Sequence, residues 1–144
     1  MKTVAELLQS KGNASVYTIS PDQTVLEAVA LMADKGIGAL LVTEGSDVVG
    51  IITERDYARK VILLERSSQA TPVSDIMTSA VMYVHPNQTS SECMKLMTEK
   101  RLRHLPVLEN GKLLGLLSIG DLVKGVISDQ QETIDQLEQY IRDE

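Results

Sequence analysis

The sequence predicts an α+β protein built from two copies of one small unit, packed through their sheets and followed by a C-terminal helix. Three observations carry this prediction: an internal repeat at a shift of 65 residues, a helix-start signal in each copy, and a hairpin-turn signal in the second copy. Between residues 19–62 and 84–127, 14 of 44 ungapped pairs are identical. A small sheet with helices on one face has to cover its other face, and the second copy is expected to do so.

Each copy is expected to run strand, helix, strand, strand, helix. Thr24 and Glu27 have the spacing of a capping box, in which each side chain bonds the backbone of the other residue, and Thr89 and Glu92 repeat it. Gly36 is expected to end the first helix. In the first copy the expected elements are a strand at 17–19, a helix after residue 24, strands at 39–43 and 48–52, and a helix from residue 53.

The chain is expected to divide into residues 1–66, 67–127 and 128–144. Short lead-in segments at 4–8 and 73–77 resemble each other and are expected to form brief helices before the two copies. In the C-terminal helix, apolar side chains recur at spacings of three and four, which is typical of a coiled-coil seam. A helix that lies on its own domain explains the same spacing. The seam consists of Val123, Ile127, Gln130, Ile134, Leu137 and Ile141.

Composition excludes several classes of function. The 144 residues carry a net charge of -6, of which residues 128–144 account for -5, so the body has no basic face for nucleic acid. Phe and Trp are absent, which argues against a base-stacking platform. No apolar run is long enough to span a membrane, and no signal peptide opens the chain, so we expect a cytoplasmic protein. Cys93, His85 and His104 have no metal-site spacing, and Cys93 is expected in the core.

One motif occurs in both copies: an apolar strand, a hydroxyl residue, and an aspartate three positions later. These residues are Thr53 and Asp56 in the first copy and Ser118 and Asp121 in the second. A hydroxyl residue that starts a helix suits a phosphate, and a nearby carboxylate suits the vicinal hydroxyls of a ribose. The same residues also suit a simple helix cap. Both interpretations stay open at this point.

The paired motifs, the 65-residue duplication and the strand at 105–107 resemble the tandem CBS-domain family, or Bateman module, over about residues 4–127. The resemblance implies a homodimer and adenosine ligands bound in clefts between units: AMP, ADP, ATP, NAD or S-adenosylmethionine. The sequence contains no nucleophile paired with a base and no phosphate-binding glycine loop, so no motif argues for an enzyme. The resulting hypothesis is a non-catalytic nucleotide sensor that regulates a partner protein. The alternative is a scaffold that assembles through its C-terminal helix without ligand.

By position, the resemblance implies that Asp56 and Asp121 hold ribose hydroxyls. Arg55, Arg103 and His104 are interpreted as phosphate contacts, although a solvated Arg103 and a packed His104 fit the sequence equally well. Lys60 is expected to face solvent. The full set of predicted ligand-binding residues is Thr18, Ile19, Ser20, Gly38, Ala39, Thr53, Arg55, Asp56, Tyr83, Val84, Arg103, His104, Ser118, Gly120 and Asp121.

Overall fold

The structure is a computed structural model that describes residues 1–11 and 16–142. The predicted order of elements is confirmed, except that the first strand of the second copy is reduced to one parallel bridge between Val84 and Val107. A π-helical turn, Ala58–Ile62, continues α3, and a 3₁₀ turn covers Val73–Asp75. The helices and strands are α1 (Val4–Ser10), β1 (Thr18–Ile19), α2 (Val25–Lys35), β2 (Ala39–Glu44), β3 (Asp47–Thr53), α3 (Glu54–Tyr57), α4 (Ser90–Lys100), β4 (His104–Glu109), β5 (Lys112–Ser118) and α5 (Ile119–Arg142).

The described residues form two compact units, which we name by their main segments. The 16–82 unit comprises residues 16–82 and 110–113, and the 83–142 unit comprises residues 1–11, 83–109 and 114–142. The division of the chain between residues 66 and 67 stays a prediction. The first lead-in, α1, packs with the second copy of the repeat, and the second lead-in packs with the first copy.

The exchange of lead-ins is held by the same backbone hydrogen bonds in both units. Each lead-in pairs with the turn and the first residue of the repeat helix that it covers, so these N–H and C=O groups are satisfied away from regular sheets. The bonds from Val25 N–H to Thr71 O (2.9 Å) and from Val73 N–H to Gln23 O (2.8 Å) are matched by those from Ser90 N–H to Lys2 O (2.9 Å) and from Val4 N–H to Gln88 O (2.8 Å).

Each unit has its own hydrophobic core, and each lead-in contributes to it. Val73 and Ile76 are buried in the core of the 16–82 unit, whereas Val4 and Leu7 are buried in that of the 83–142 unit. Cys93 is also fully buried, as predicted, and burial raises the pKa of its thiol. The lead-ins are therefore part of the fold rather than linkers.

The sheet of the 16–82 unit has the strand order β1-β2-β3, with β1 parallel and β3 antiparallel to β2. Ala39, the first residue of β2, lies opposite Thr53, the last residue of β3. In the second copy, β4 and β5 pair as the predicted hairpin. Asn110 and Gly111 take positive φ values of 53° and 78° at its turn, as a tight hairpin requires.

Thr24 and Thr89 cap α2 and α4, as predicted, by accepting hydrogen bonds from the N–H groups of Glu27 and Glu92 at 3.2 Å. The reciprocal half of the predicted capping box is not formed in either helix. The carboxylate of Glu27 instead accepts a hydrogen bond from the side chain of Gln23 at 2.9 Å. The preceding glutamine thus competes with the backbone for this carboxylate.

Gly36 ends α2 in the left-handed conformation, with φ of 65°, and Arg101 ends α4 in the same way with φ of 55°. A side chain at this position carries a steric cost that glycine avoids. We expect Arg101→Gly to raise the free energy of unfolding by about 0.5–1 kcal/mol, and Gly36→Ala to lower it by about 1 kcal/mol. Urea titration of both variants checks this, and a destabilised Arg101→Gly protein would contradict it.

The last helix, α5, runs unbroken from Ile119 to Arg142. Within the described residues, no helix is both long enough and apolar enough to cross a membrane.

Candidate functional site

The 53–56 motif joins the end of β3 to the start of α3 and forms a complete capping box. The Asp56 N–H donates to Thr53 Oγ1 at 3.1 Å, while Asp56 Oδ2 accepts from the N–H and the hydroxyl of Thr53, both at 3.0 Å. The Asp56 side chain is only 14% exposed. Its second oxygen, Oδ1, lies 3.3 Å from the Lys60 ammonium.

The 118–121 motif repeats this geometry at the start of α5. Asp121 Oδ2 accepts from the N–H of Ser118 at 2.8 Å and from its hydroxyl at 3.0 Å, and the Asp121 N–H donates to Ser118 Oγ at 3.2 Å. The carboxylate is again 14% exposed. Both motifs therefore have the capping role that the sequence left open, whereas ligand binding by the two aspartates stays a prediction.

Each of the two aspartates is also paired with a lysine that the sequence analysis did not assign to a site. Lys11 Nζ lies 3.0 Å from Asp121 Oδ2 and donates to Leu116 O at 2.6 Å. Lys60 Nζ pairs with Asp56 and donates to Ile76 O at 3.0 Å, while its side chain is 43% exposed, so Lys60 faces solvent as expected and also has a partner that the sequence did not assign. Lys60 follows Asp56 by four residues, and this helical spacing was the sequence signal for an ion pair between them.

The two lysines reach their aspartates by different routes. Lys60 comes from the same helical segment as Asp56, whereas Lys11 comes from the end of α1. The repeat places Gly125 where the first copy has Lys60, and a Cβ at Gly125 would clash with the Leu7 side chain of α1. The missing side chain on α5 thus makes room for the helix that supplies the second lysine.

The residues that precede β2 and β4 contact the starts of α3 and α5. The first N–H of α3, from Glu54, donates to Gly38 O at 3.0 Å, and that of α5, from Ile119, donates to Arg103 O at 2.9 Å. A Cβ at Gly38 would come within 2.9 Å of the Glu54 carboxylate. In the second copy, Arg103 stands at the position of Gly38, and Ile119 stands at the position of Glu54. The second motif therefore has one acidic side chain fewer than the first.

His104 opens β4 and belongs to the same electrostatic group as Asp121. Burial is the largest effect on His104 and lowers its pKa, and the charges of Lys11 and Arg103 lower it further against the opposing effect of Asp121. Burial alone would raise the pKa of Asp121, but hydrogen bonds from Ser118 and the ammonium of Lys11 hold it below the ordinary value. At neutral pH the group therefore has an ionised carboxylate, a neutral imidazole and two cations.

Thr18, Ile19 and Ser20 belong to the predicted ligand-binding set, but they do not adjoin the 53–56 motif in the sheet. Thr18 and Ile19 pair with β2 on the side opposite β3, and the Ile19 side chain is buried, which leaves only its backbone for a ligand. Ser20 lies in the turn that follows, where its N–H bonds to Gln23 at 3.0 Å. The sheet thus places β2 between these residues and Thr53.

In the second copy, Val84 is buried, whereas Tyr83 is 49% exposed and contacts the His85 ring edge-on. Arg55 and Gly120 occupy equivalent first-turn positions and are exposed. Of these four residues, Tyr83, Arg55 and Gly120 are therefore accessible to a ligand, whereas the Val84 side chain is buried.

A cavity of about 430 Å³ lies between α1 and α5 in the 83–142 unit. Lys2 on its wall is bound by Glu132 at 3.4 Å and by Asp129 at 3.8 Å, and Lys11 is bound by Asp121. Acids therefore already neutralise two of its three lysines. Its walls are formed by Lys2, Leu7, Ser10, Lys11, Asp121, Lys124, Gly125 and Ser128.

Comparison with known proteins gives one family. The sequence profile of the CBS domain matches residues 4–63 and 73–128. CBS domain-containing protein CBSX3, mitochondrial, of Arabidopsis thaliana is 38% identical over 148 residues, covering 97% of this chain and 72% of that protein. The structure of a putative signal-transduction protein with CBS domains from Burkholderia ambifaria MC40-6 is 60% identical with a TM-score of 0.86, covering 90% of this chain and 96% of the other.

The fold is also that of the CBS domain protein PAE2072 from Pyrobaculum aerophilum, which was solved as a complex with AMP. It is 23% identical with a TM-score of 0.74, and the match covers 83% of this chain and 89% of that one. At this identity the likeness establishes the fold.

Proposed function

The chain belongs to the CBS-domain family, and we propose that it is a non-catalytic regulatory module that binds adenine nucleotides at its 53–56 and 118–121 motifs. The proposed ligands are AMP, ADP, ATP or NAD, with S-adenosylmethionine as a further candidate. The AMP complex of PAE2072 supports this set, because it shows that the fold accommodates an adenine nucleotide. We also propose that the bound state is read by a partner protein, and that the chain works in the cytoplasm.

The single observation that carries the proposal is that Asp56 and Asp121 are held by the same capping bonds and are equally exposed. Each is held rigidly by its own capping box, and each is 14% exposed. The capping bonds use one carboxylate oxygen, Oδ2, in both motifs. The other oxygen, Oδ1, is the acceptor that we assign to a ribose hydroxyl, and in Asp56 it also lies 3.3 Å from the Lys60 ammonium. A preorganised acceptor needs little ordering on binding, which favours affinity.

Phosphate groups have different partners in the two units. Arg55 in the first turn of α3 and Lys60 accompany Asp56, together with the acidic Glu54. Arg103 and Lys11 accompany Asp121, where the position of the acid is taken by Ile119. We therefore propose that the 118–121 motif prefers the ligand with more negative charge.

Scaffolding through the C-terminal helix is the second candidate function. It is favoured by the apolar face of α5, where Ile127, Leu137 and Ile141 are each more than half exposed. Binding and assembly are compatible, and separate experiments address them.

Isothermal titration calorimetry of the wild-type chain with AMP, ATP, NAD, S-adenosylmethionine and adenosine tests the proposed function. We expect heat with at least one phosphate-bearing ligand, up to two sites per chain, and weaker binding of adenosine because it lacks the phosphate. Circular dichroism confirms that the titrated protein is folded. A folded protein that gives no heat with any of these ligands at millimolar concentration contradicts the proposal.

A further inference from the structure

The outer face of α5 carries a row of exposed apolar side chains that one polar residue interrupts. Leu122 and Gly125 face inward and are buried, so this helix packs on its own unit with a different side. The outward row continues past the body to the end of the helix. Its apolar members and their exposed fractions are Val123 (46%), Ile127 (59%), Ile134 (48%), Leu137 (57%) and Ile141 (69%), with Gln130 at the one polar position.

We propose that a second copy of this chain covers this row as an antiparallel two-helix coiled coil. The inference does not depend on nucleotide binding. The row covers 19 residues of α5, which at about 1.5 Å per residue is about 27 Å of helix. Its spacing places Ile127, Ile134 and Ile141 at the a positions of a heptad, and Val123, Gln130 and Leu137 at the d positions.

One antiparallel register places every member of the row opposite another member. In this register each a position packs against a d position of the other helix, and no apolar residue is left at either end. The layers are Val123 with the partner's Ile141, Ile127 with the partner's Leu137, and Gln130 with the partner's Ile134, each formed twice by symmetry.

The residues that flank the row distinguish this orientation from a parallel one. In an antiparallel pair, e positions face e positions and g positions face g positions. Lys124 then faces the partner's Glu138, and Val126 faces the partner's Tyr140, which gives one ion pair and one apolar contact on each side. In a parallel pair, Lys124 faces the partner's Ile119, and its charge has no partner.

Net charge favours the same orientation. Residues 128–144 carry a charge of -5, so a parallel pair places two acidic tails side by side along their whole length. The antiparallel pair places the end of each tail beside the start of the other α5, where Lys124 offsets the charge of Asp121. Like-charge contacts between helices are thereby reduced.

Charge reversal across the proposed pair tests it on the full chain. Sedimentation equilibrium of Lys124→Glu and of Glu138→Lys should show dimer dissociation constants raised by about fivefold or more, since each variant opposes like charges at two symmetric places. The double variant should return to within about twofold of the wild type. A parallel pair never brings these residues together, so absence of rescue overturns the proposal. Lys95→Glu, on the exposed side of α4, controls for net charge.

Orientation is tested independently by cross-linking a mixture of an Ile127→Cys chain and a mass-tagged Leu137→Cys chain. The antiparallel register predicts mixed disulfide dimers, whereas a parallel pair predicts dimers of each variant with itself. The native Cys93 is buried and does not interfere. Ile134→Asp should give a folded monomer by circular dichroism and light scattering. A folded dimer of wild-type mass, or self-dimers alone in the cross-linking, overturns the inference.

Discussion

Asp121→Asn should weaken ligand binding at the 118–121 motif by about 100-fold while the 53–56 motif binds as before. Asparagine keeps a carbonyl oxygen for the N–H of Ser118, so the cap and the fold are expected to survive. It replaces the second acceptor by a donor and removes the charge. Losing hydrogen bonds to a charged acceptor is worth about 3 kcal/mol here, and each 1.4 kcal/mol is about tenfold.

Asp56→Asn should have the reciprocal effect, and the double variant should bind at neither motif. Calorimetric stoichiometry separates the sites, because each single variant should lose one site per chain. Asp34→Asn removes the same charge from a side chain that is 72% exposed, and it should bind like the wild type. Two folded single variants that both keep wild-type stoichiometry and affinity would show that these carboxylates only cap their helices.

Most of the fold follows from signals that act over a few residues. The helix caps at Thr24 and Thr89, the helix end at Gly36 and the hairpin turn at Asn110 each fix local backbone geometry, and the 65-residue repeat supplies the helix-cap signal twice. The motif aspartates were found in the same way, since hydroxyl and acid are three positions apart. The periodicity of α5 also extends over consecutive turns of one helix.

The exchange of lead-ins could not be read from the sequence, because it is a choice between two similar partners far apart in the chain. Residues 4–8 and 73–77 resemble each other, so their patterns alone do not say which copy each one covers. Lys11 was missed for the same reason: its contact with Asp121 exists only once α1 packs on the second copy. A glycine at position 125, where the first copy has a lysine, was the one local sign that another residue serves Asp121.

Lys11→Met should therefore destabilise the 83–142 unit by about 1–2 kcal/mol at neutral pH. Methionine keeps the apolar stem but leaves Asp121 without its ion pair and Leu116 O without its hydrogen bond. Lys60→Met is the matched control. Its side chain is 43% exposed, and it lies four residues from Asp56 on the same helical segment, so we expect a loss of only about 0.5 kcal/mol.

The loss at Lys11 should also depend on pH and on Asp121. Because the pKa of Asp121 is lower in the folded chain, its ionised form stabilises the fold at pH values above about 4, and this contribution is lost as the pH falls further. Lys11→Met raises that pKa toward its ordinary value. Urea titrations of the wild type and the variant should therefore give stabilities that converge between pH 7 and pH 3.

The double variant Lys11→Met with Asp121→Asn separates this ion pair from simple packing. If Lys11 acts through the carboxylate, the two losses should couple by at least about 0.5 kcal/mol, because the second substitution removes a charge that has already lost its partner. Strict additivity, together with a pH-independent loss in Lys11→Met, would mean that α1 stabilises the second copy through Leu7 and its apolar neighbours alone.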